Sequence, residues 1–321
     1  ATAWLRDFLF GETEAAPDAA VRLWVDRTAY RRLAAGTFGD AVACFTLDGS
    51  FRAWPARAGP DGSLVLHDPE GPVALGVTEG EVEVCAEEEG FRARLALLRV
   101  VRELLAADAL RRGGVHLHAV AFAGPRRSGK STLLLDALLS GDPRFVANDR
   151  LLVEPAVARG MPTLVALRED SLDRFPGLAT RLRARGYDRA RSLDESAASP
   201  PSDALPPSVT PAQLCALTGA SPGEPGPLHA VFFPALDAAP GYGIAPLGEA
   251  DAAARLGRSL LLAGVPERPP AAFAGPAPPV RDRAALDDAC ARLAGTVPCF
   301  ALRLGPDAYA KGVWAAIARA F

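Results

Sequence analysis

The stretch GPRRSGKS, residues 124 to 131, admits few backbones. It matches G-x-x-x-x-G-K-[ST], follows the apolar run AVAFA directly and leads directly into STLLLDALLS, whose leucines suit a helix. Such a chain leaves a strand, turns through glycines that let backbone N–H groups converge, and enters a helix whose positive N-terminal end faces the same point. That unit is an anion cradle, and strand–loop–helix punctuation of this kind predicts α/β organisation. Gly124, Pro125, Arg126, Arg127, Ser128, Gly129, Lys130, Ser131 and Thr132 are expected to surround the phosphates of ATP or another nucleoside triphosphate. Lys130 would reach the β- and γ-phosphates and Ser131 would offer its hydroxyl to Mg²⁺. Arg126 and Arg127 add positive charge without an evident target.

An acid follows closely. Asp149 lies 19 residues after Lys130, at the end of RFVA, so one short helix and one strand suffice to return its carboxylate to the cradle. Many P-loop ATPases place the magnesium-binding acid much further along the chain, whereas kinases often set one near here to orient or deprotonate an acceptor hydroxyl. Asp149 is therefore expected as both base and metal ligand, the alternative being a turn or surface pair with Arg150. Its neighbour Asn148 can hydrogen-bond or ligate weakly but cannot take a proton as a carboxylate does.

The texture of the chain changes near residue 91. Before it, ACFTLDG, FRAWPAR, GSLVLHDPEG and ALGVTEGEVEVCAEEEG alternate at period two between turn residues, which predicts a small β-rich module over residues 1–90. RARLALLRVVRELLAADALRRGG then takes helical spacing, with Leu95, Leu98, Val101, Leu104 and Leu105 on one face. Strands and helices mix from there to Phe321, including HLHAVAFA, RFVANDRLLVE, PTLVAL, a helix around 169–184, HAVFFPAL and PCFALRL. Residues 186–210 and 265–280 are rich in Pro and Ala with few apolar anchors, and read as surface linker. The first of them would alternatively close over a substrate as a lid.

The segments LHA (117–119), GPRRSGKSTL and RFVANDRLLVE together resemble the HPr kinase/phosphorylase-like proteins, particularly divergent members such as lasso-peptide kinases. The resemblance covers roughly residues 95 to 321, with LLRVVRELLAADALRRGGVHLHA, PTLVALREDSLDRFPGL and AVFFPALD in its support. It implies an α/β P-loop kinase domain of HPr kinase/phosphoenolpyruvate carboxykinase type over residues 91–321. It further implies ATP- and magnesium-dependent phosphorylation of a serine or threonine hydroxyl in a peptide or small protein. The family's acid site is commonly an Asp-Asp pair, and Asn148 stands at its first position. In HPr kinases a histidine upstream of the loop comes near the acid pair, but five residues separate His118 from Gly124. At ~3.3 Å per residue a direct strand puts His118 ~20 Å from the loop, so His116 and His118 read first as satisfied structural histidines, with His118 kept beside Asp149, Lys130, Asn148 and Arg168 as the alternative catalytic candidate.

Other residues are open to two uses. Arg168, after TLVAL, would bind a phosphate or a substrate carboxylate, or pair with Glu169 or Asp170 at a helix start. Asp237 is an alternative magnesium ligand, and His229 is expected in the core or at a strand edge.

Charge narrows the partner. With 35 basic and 38 acidic residues the net charge is −3, so no basic field invites nucleic acid and no polybasic patch invites a membrane. A peptide or small molecule suits the chain better, and the β-rich module would offer a groove or edge to an extended peptide, or serve stability or self-association into a homo-oligomer. Five scattered cysteines without a Cys-x-x-Cys spacing argue against disulfides or structural zinc, and no run approaches ~20 uninterrupted apolar residues. A cytoplasmic protein is expected. Two rivals stand beside the peptide kinase: a small-metabolite P-loop kinase, which also places an Asp at a similar distance, and a nucleotide-gated binding protein with a degraded centre, suggested by Asn148 and a distant His118.

Overall fold

The computed structural model describes residues 20–36, 38, 41–47, 50–58, 63–68, 72–78, 81–119, 128–140, 144–155, 157–161, 163–185, 208–261 and 283–320. The chain opens with β1 (Ala20–Val25), α1 (Arg27–Ala34), β2 (Ala41–Leu47), β3 (Ser50–Ala58), β4 (Leu64–His67), β5 (Val73–Thr78) and β6 (Glu81–Ala86). Helix α2 (Phe91–Arg111) follows, then β7 (Val115–Leu117), α3 (Lys130–Leu139), β8 (Arg144–Phe145), β9 (Leu151–Glu154), β10 (Val157–Gly160) and β11 (Val165–Ala166). Helices α4 (Glu169–Arg174) and α5 (Pro176–Ala184) lead to β12 (Ser208–Val209), α6 (Pro211–Thr218), β13 (Ser221–Pro222) and β14 (Gly226–Pro227). The last elements are β15 (Val231–Leu236), β16 (Tyr242–Pro246), α7 (Glu249–Ser259), α8 (Arg283–Thr296), β17 (Cys299–Leu304) and α9 (Val313–Ala320). The fold is mixed α/β with several sheets, and no helix among the described residues is long and apolar enough to cross a membrane.

The period-two stretches of the first 90 residues form one sheet in the order β1-β6-β5-β4-β3-β2. Strands β2 to β6 pair antiparallel in sequence order, as short turn-separated strands do, while β1 lies parallel to β6. Alternation sends Val82, Val84 and Leu75 inward, and Ala93, Ala96, Leu97 and Val100 of α2 close over them. Further along the same helix, Ala106 and Ala109 pack with Leu152 and Met161. The leucines expected on one face of α2 are divided: Leu98 is buried, Leu104 packs with the first core and Leu105 with the second, because one helix serves two cores and its alanines let both approach. The described side chains do not include that of Leu95.

Two larger sheets, the two-stranded pairs β11-β12 and β8-β13, and the helices around them build the second part. Strands β14-β10-β9-β7 are antiparallel throughout, and β15 and β17 pair in parallel with β16 on the other edge of β17. Val115 and Leu117 of β7, Leu151 and Val153 of β9, Val231 and Phe233 of β15 and Leu256 of α7 share one core. Helix α3 lies between two others: Leu133 packs with Phe232, Leu302, Leu304 and Ile317, and Leu134, Leu135 and Leu138 pack with Phe145, Leu178 and Leu214. Burying each such leucine contributes roughly 1.5–3 kcal/mol, so the LLL run anchors the start of α3 from two sides. The helix expected around 169–184 breaks at Phe175, since Pro176 starts α5 and lacks the N–H that would continue α4.

Candidate functional site

Gly129 is where the local sequence dictates the site. Its φ of 95° is left-handed, and a Cβ there would lie 3.0 Å from Leu304 Cδ1 and 3.3 Å from the Tyr309 hydroxyl, so only glycine fits both the backbone and the space. It is the N-cap of α3 and offers no side-chain cap. The first N–H groups of α3 are therefore left for an external acceptor, at the positive end of a ten-residue helix. Lys130 follows immediately and is buried. Burial pushes its ammonium down to about 8, against the opposing pull of Asp149. Ser128 is also buried and its Oγ has no hydrogen-bond partner among the described residues. Gly124, Pro125, Arg126 and Arg127 lie outside the described residues.

The acid arrives as the spacing from Lys130 predicts. After α3 and β8 the chain reaches Asn148–Asp149–Arg150, where the Arg150 N–H donates to the Asn148 carbonyl at 2.8 Å. That i→i+2 bond closes a γ-turn around Asp149, whose φ of 69° is the rarer, strained sense of such a turn. Thr163 Oγ1 donates to the same carbonyl at 2.5 Å and fixes the turn from below. Asn148 is buried, with Nδ2 donating to Leu164 O at 3.5 Å and Oδ1 left without a partner among the described residues.

His118 overturns its expectation. Its Nε2 lies 2.5 Å from Asp149 Oδ1, and it lines the same cleft as Ser128 to Thr132. The ~20 Å figure runs along an extended strand to Gly124, but the acid is reached across the sheet. Strand β7 pairs antiparallel with β9, Leu117 facing Leu151, so the residue after Leu117 meets the residues before Leu151 at the ~5 Å spacing of neighbouring strands. The reading of His116 as satisfied is corrected as well: it is buried, and neither ring nitrogen has a partner among the described residues. Burial first, then the charges of Arg150 and Arg102, hold His116 well below the ordinary imidazole range. Burial alone would push the Asp149 carboxyl up, but the His118 hydrogen bond and charge, together with Arg150 and Lys130, hold it below the usual carboxylate range.

The cleft around these groups has a volume of about 640 Å³. Arg168, the N-cap of α4, lines it, is exposed, and makes no ion pair among the described residues, so the helix-start pair with Glu169 or Asp170 does not form there. Thr132 Oγ1 bonds Ser171 Oγ at 3.2 Å. Asp237 stands outside the lining: it accepts the Ala239 N–H at 2.8 Å and faces Arg303 at 4.0 Å, as a turn former. His229 is exposed. Residues 186–207 and 265–280, with the lid reading attached to the first, lie outside the described residues, while Ser208–Val209 pair with β11. Arg174 and Tyr309 also line the cleft, the guanidinium lying 5.3 Å from the centre of the Tyr309 ring. Neither belongs to a motif, and their only sequence signals are an arginine at a helix end and a tyrosine in a Gly-flanked turn.

Compared with protein-family models, curated proteins and solved structures, the chain matches none. Chemically, the cleft joins a helix N-terminus and a buried lysine, which suit polyanionic phosphate, to a carboxylate held by a histidine. Its oxygen donors, Ser131 Oγ, the Asp149 carboxylate and the unpartnered Asn148 Oδ1, are of the hard kind that magnesium takes.

Proposed function

We propose that this chain is an ATP- and magnesium-dependent phosphotransferase on an HPr kinase/phosphoenolpyruvate carboxykinase-type P-loop fold, moving the γ-phosphoryl group to a serine or threonine hydroxyl of a peptide or small protein. The observation that carries the reading is the 2.5 Å bond from His118 to Asp149 in one cleft with Lys130. The first turn of α3 and Lys130 would bind the triphosphate and draw charge from its β- and γ-oxygens. Ser131 and Asp149, with Asn148 as a neutral oxygen, would hold the magnesium ion, which when bound neutralises phosphate charge. Engaged by His118 through Oδ1, Asp149 has Oδ2, with its two lone pairs, to share between the metal and the acceptor O–H.

The acceptor oxygen forms its bond to the γ-phosphorus as the bond to the bridging oxygen breaks, ADP leaves with that electron pair, and the hydroxyl proton passes to Asp149. A carboxylate held below its usual range is a weak base. Its first task is then to orient the hydroxyl, which a loose phosphoryl-transfer transition state allows because the proton departs late. His118 fixes the carboxylate and stabilises its ionised form. The rival of a silent nucleotide-gated binder loses half its motive with His118 beside the acid, and Asn148 alone remains in its favour.

The test is incubation with ATP, Mg²⁺ and a mixture of peptides and free hydroxyl metabolites, read by mass spectrometry as an ~80 Da addition. Phosphorylated Ser or Thr in peptides, lost in Asp149→Asn, is the expected result. No transfer, or label on free metabolites alone, overturns the proposal.

A further inference from the structure

Tyr309 lines the cleft, and the proposed reaction leaves its hydroxyl without a task. Its hydroxyl is buried and has no hydrogen-bond partner among the described residues. Leaving a buried O–H unmade is unfavourable, and in native proteins such a group commonly faces a ligand, ion or water. The neighbouring Thr132 hydroxyl bonds Ser171 Oγ at 3.2 Å.

The ring is held firmly. Arg174 lies over its face at 5.3 Å, and Phe175 meets it edge-on at 6.4 Å between centroids. The hydroxyl points at the second glycine of the motif, 3.3 Å from where a Cβ on Gly129 would stand, beside the first turn of α3. A cation over the ring withdraws electron density from the phenol and strengthens it as a donor. Burial raises the phenol to about 12, so it stays protonated through the neutral range.

We infer that Tyr309 is a phosphate-binding residue: its O–H donates to an oxygen of the polyphosphate seated at the N-terminus of α3, completing from the last hundred residues of the sequence a cradle that includes Ser128–Ser131. The inference rests on the phosphotransferase reading, since it needs a polyphosphate at that helix end. Gly129 thereby has two reasons to be glycine, its backbone and the room it leaves for the hydroxyl.

The experiment is calorimetric titration of magnesium tripolyphosphate and of MgATP into wild type, Tyr309→Phe and Lys130→Ala, with a thermal melt of each. Phe keeps the ring under Arg174 and against Phe175, so Tyr309→Phe is expected to melt with wild type yet bind both probes about tenfold or more weakly, the usual loss for a hydrogen bond to a charged group. Unchanged tripolyphosphate affinity in Tyr309→Phe, beside a weakened Lys130→Ala, overturns the role of Tyr309 and leaves the cradle intact. If ATP affinity falls while tripolyphosphate affinity holds, Tyr309 contacts another part of the nucleotide and the phosphate assignment fails. Tripolyphosphate bound equally by wild type and Lys130→Ala, or by neither, overturns the cradle itself and the inference with it. Should Tyr309→Phe melt lower, Tyr309→Trp offers an N–H donor on a ring, and failure of Trp to recover affinity above Phe counts against the donor role.

Discussion

Replacing His118 by alanine is the sharpest probe of the site, because it removes one side chain from one 2.5 Å contact. A hydrogen bond to a charged group is worth about 1.5–3 kcal/mol, which at ~1.4 kcal/mol per tenfold is roughly 10- to 150-fold in rate. The Asp149 side chain keeps 48% of its surface exposed, and solvent screening places the expected loss in the lower part of that range, about 10- to 40-fold in kcat. Asp149→Asn, which removes the proton acceptor itself, should cost ~10²-fold or more. Because His118 acts through Asp149, the double variant should be little slower than Asp149→Asn alone. A second readout is the pH profile. Asp149 must be ionised, and without His118 its burial is opposed only by Arg150 and Lys130, so the acid limb of kcat/KM should move to higher pH. Initial rates of ADP release with a saturating peptide acceptor, from pH 4 to pH 8, test both. Full activity in His118→Ala, or losses that add in the double variant, would refute the argument.

Two further outcomes follow from buried titrating groups. Lys130, pushed down to about 8 by burial, should regain its charge when a polyphosphate binds, so MgATP binding at pH 8.5 should take up a proton and give heats that depend on the buffer's ionisation enthalpy. Lys130→Ala should lose that dependence and most of the affinity while keeping its fold. His116 is held neutral in the folded chain, so below its ordinary value of 6.5 the unfolded chain binds a proton that the folded one refuses. Stability should fall as pH drops below 6.5, by up to ~1.4 kcal/mol per pH unit for this one group. His116→Phe should flatten the denaturant-midpoint slope between pH 6.5 and 5.5, and an unchanged slope would show that His116 is not the source.

Much of the site was legible because its parts obey local rules. Gly129 needs a left-handed backbone, the LLL run needs two apolar walls, and a short helix plus a strand return Asp149 to Lys130; each follows from spacing within about twenty residues. Period-two alternation likewise announced the strands β2 to β6, since a sheet with one covered face requires it.

Pairing between distant segments obeys no such local rule. The register that sets Leu117 against Leu151, and so carries His118 to Asp149, depends on which apolar sets meet across β7 and β9, and a distance counted along the strand cannot anticipate it. The parallel place of β1 beside β6, the two faces of α2 and the arrival of Tyr309 at Gly129 are of the same kind. The sequence by itself determined that a helix starts at Lys130 behind a left-handed glycine, with one acid close behind it. The tertiary structure alone decided that a histidine holds that acid and a tyrosine faces that glycine, because burial is shared among segments far apart in the chain and its best arrangement is a property of the whole core.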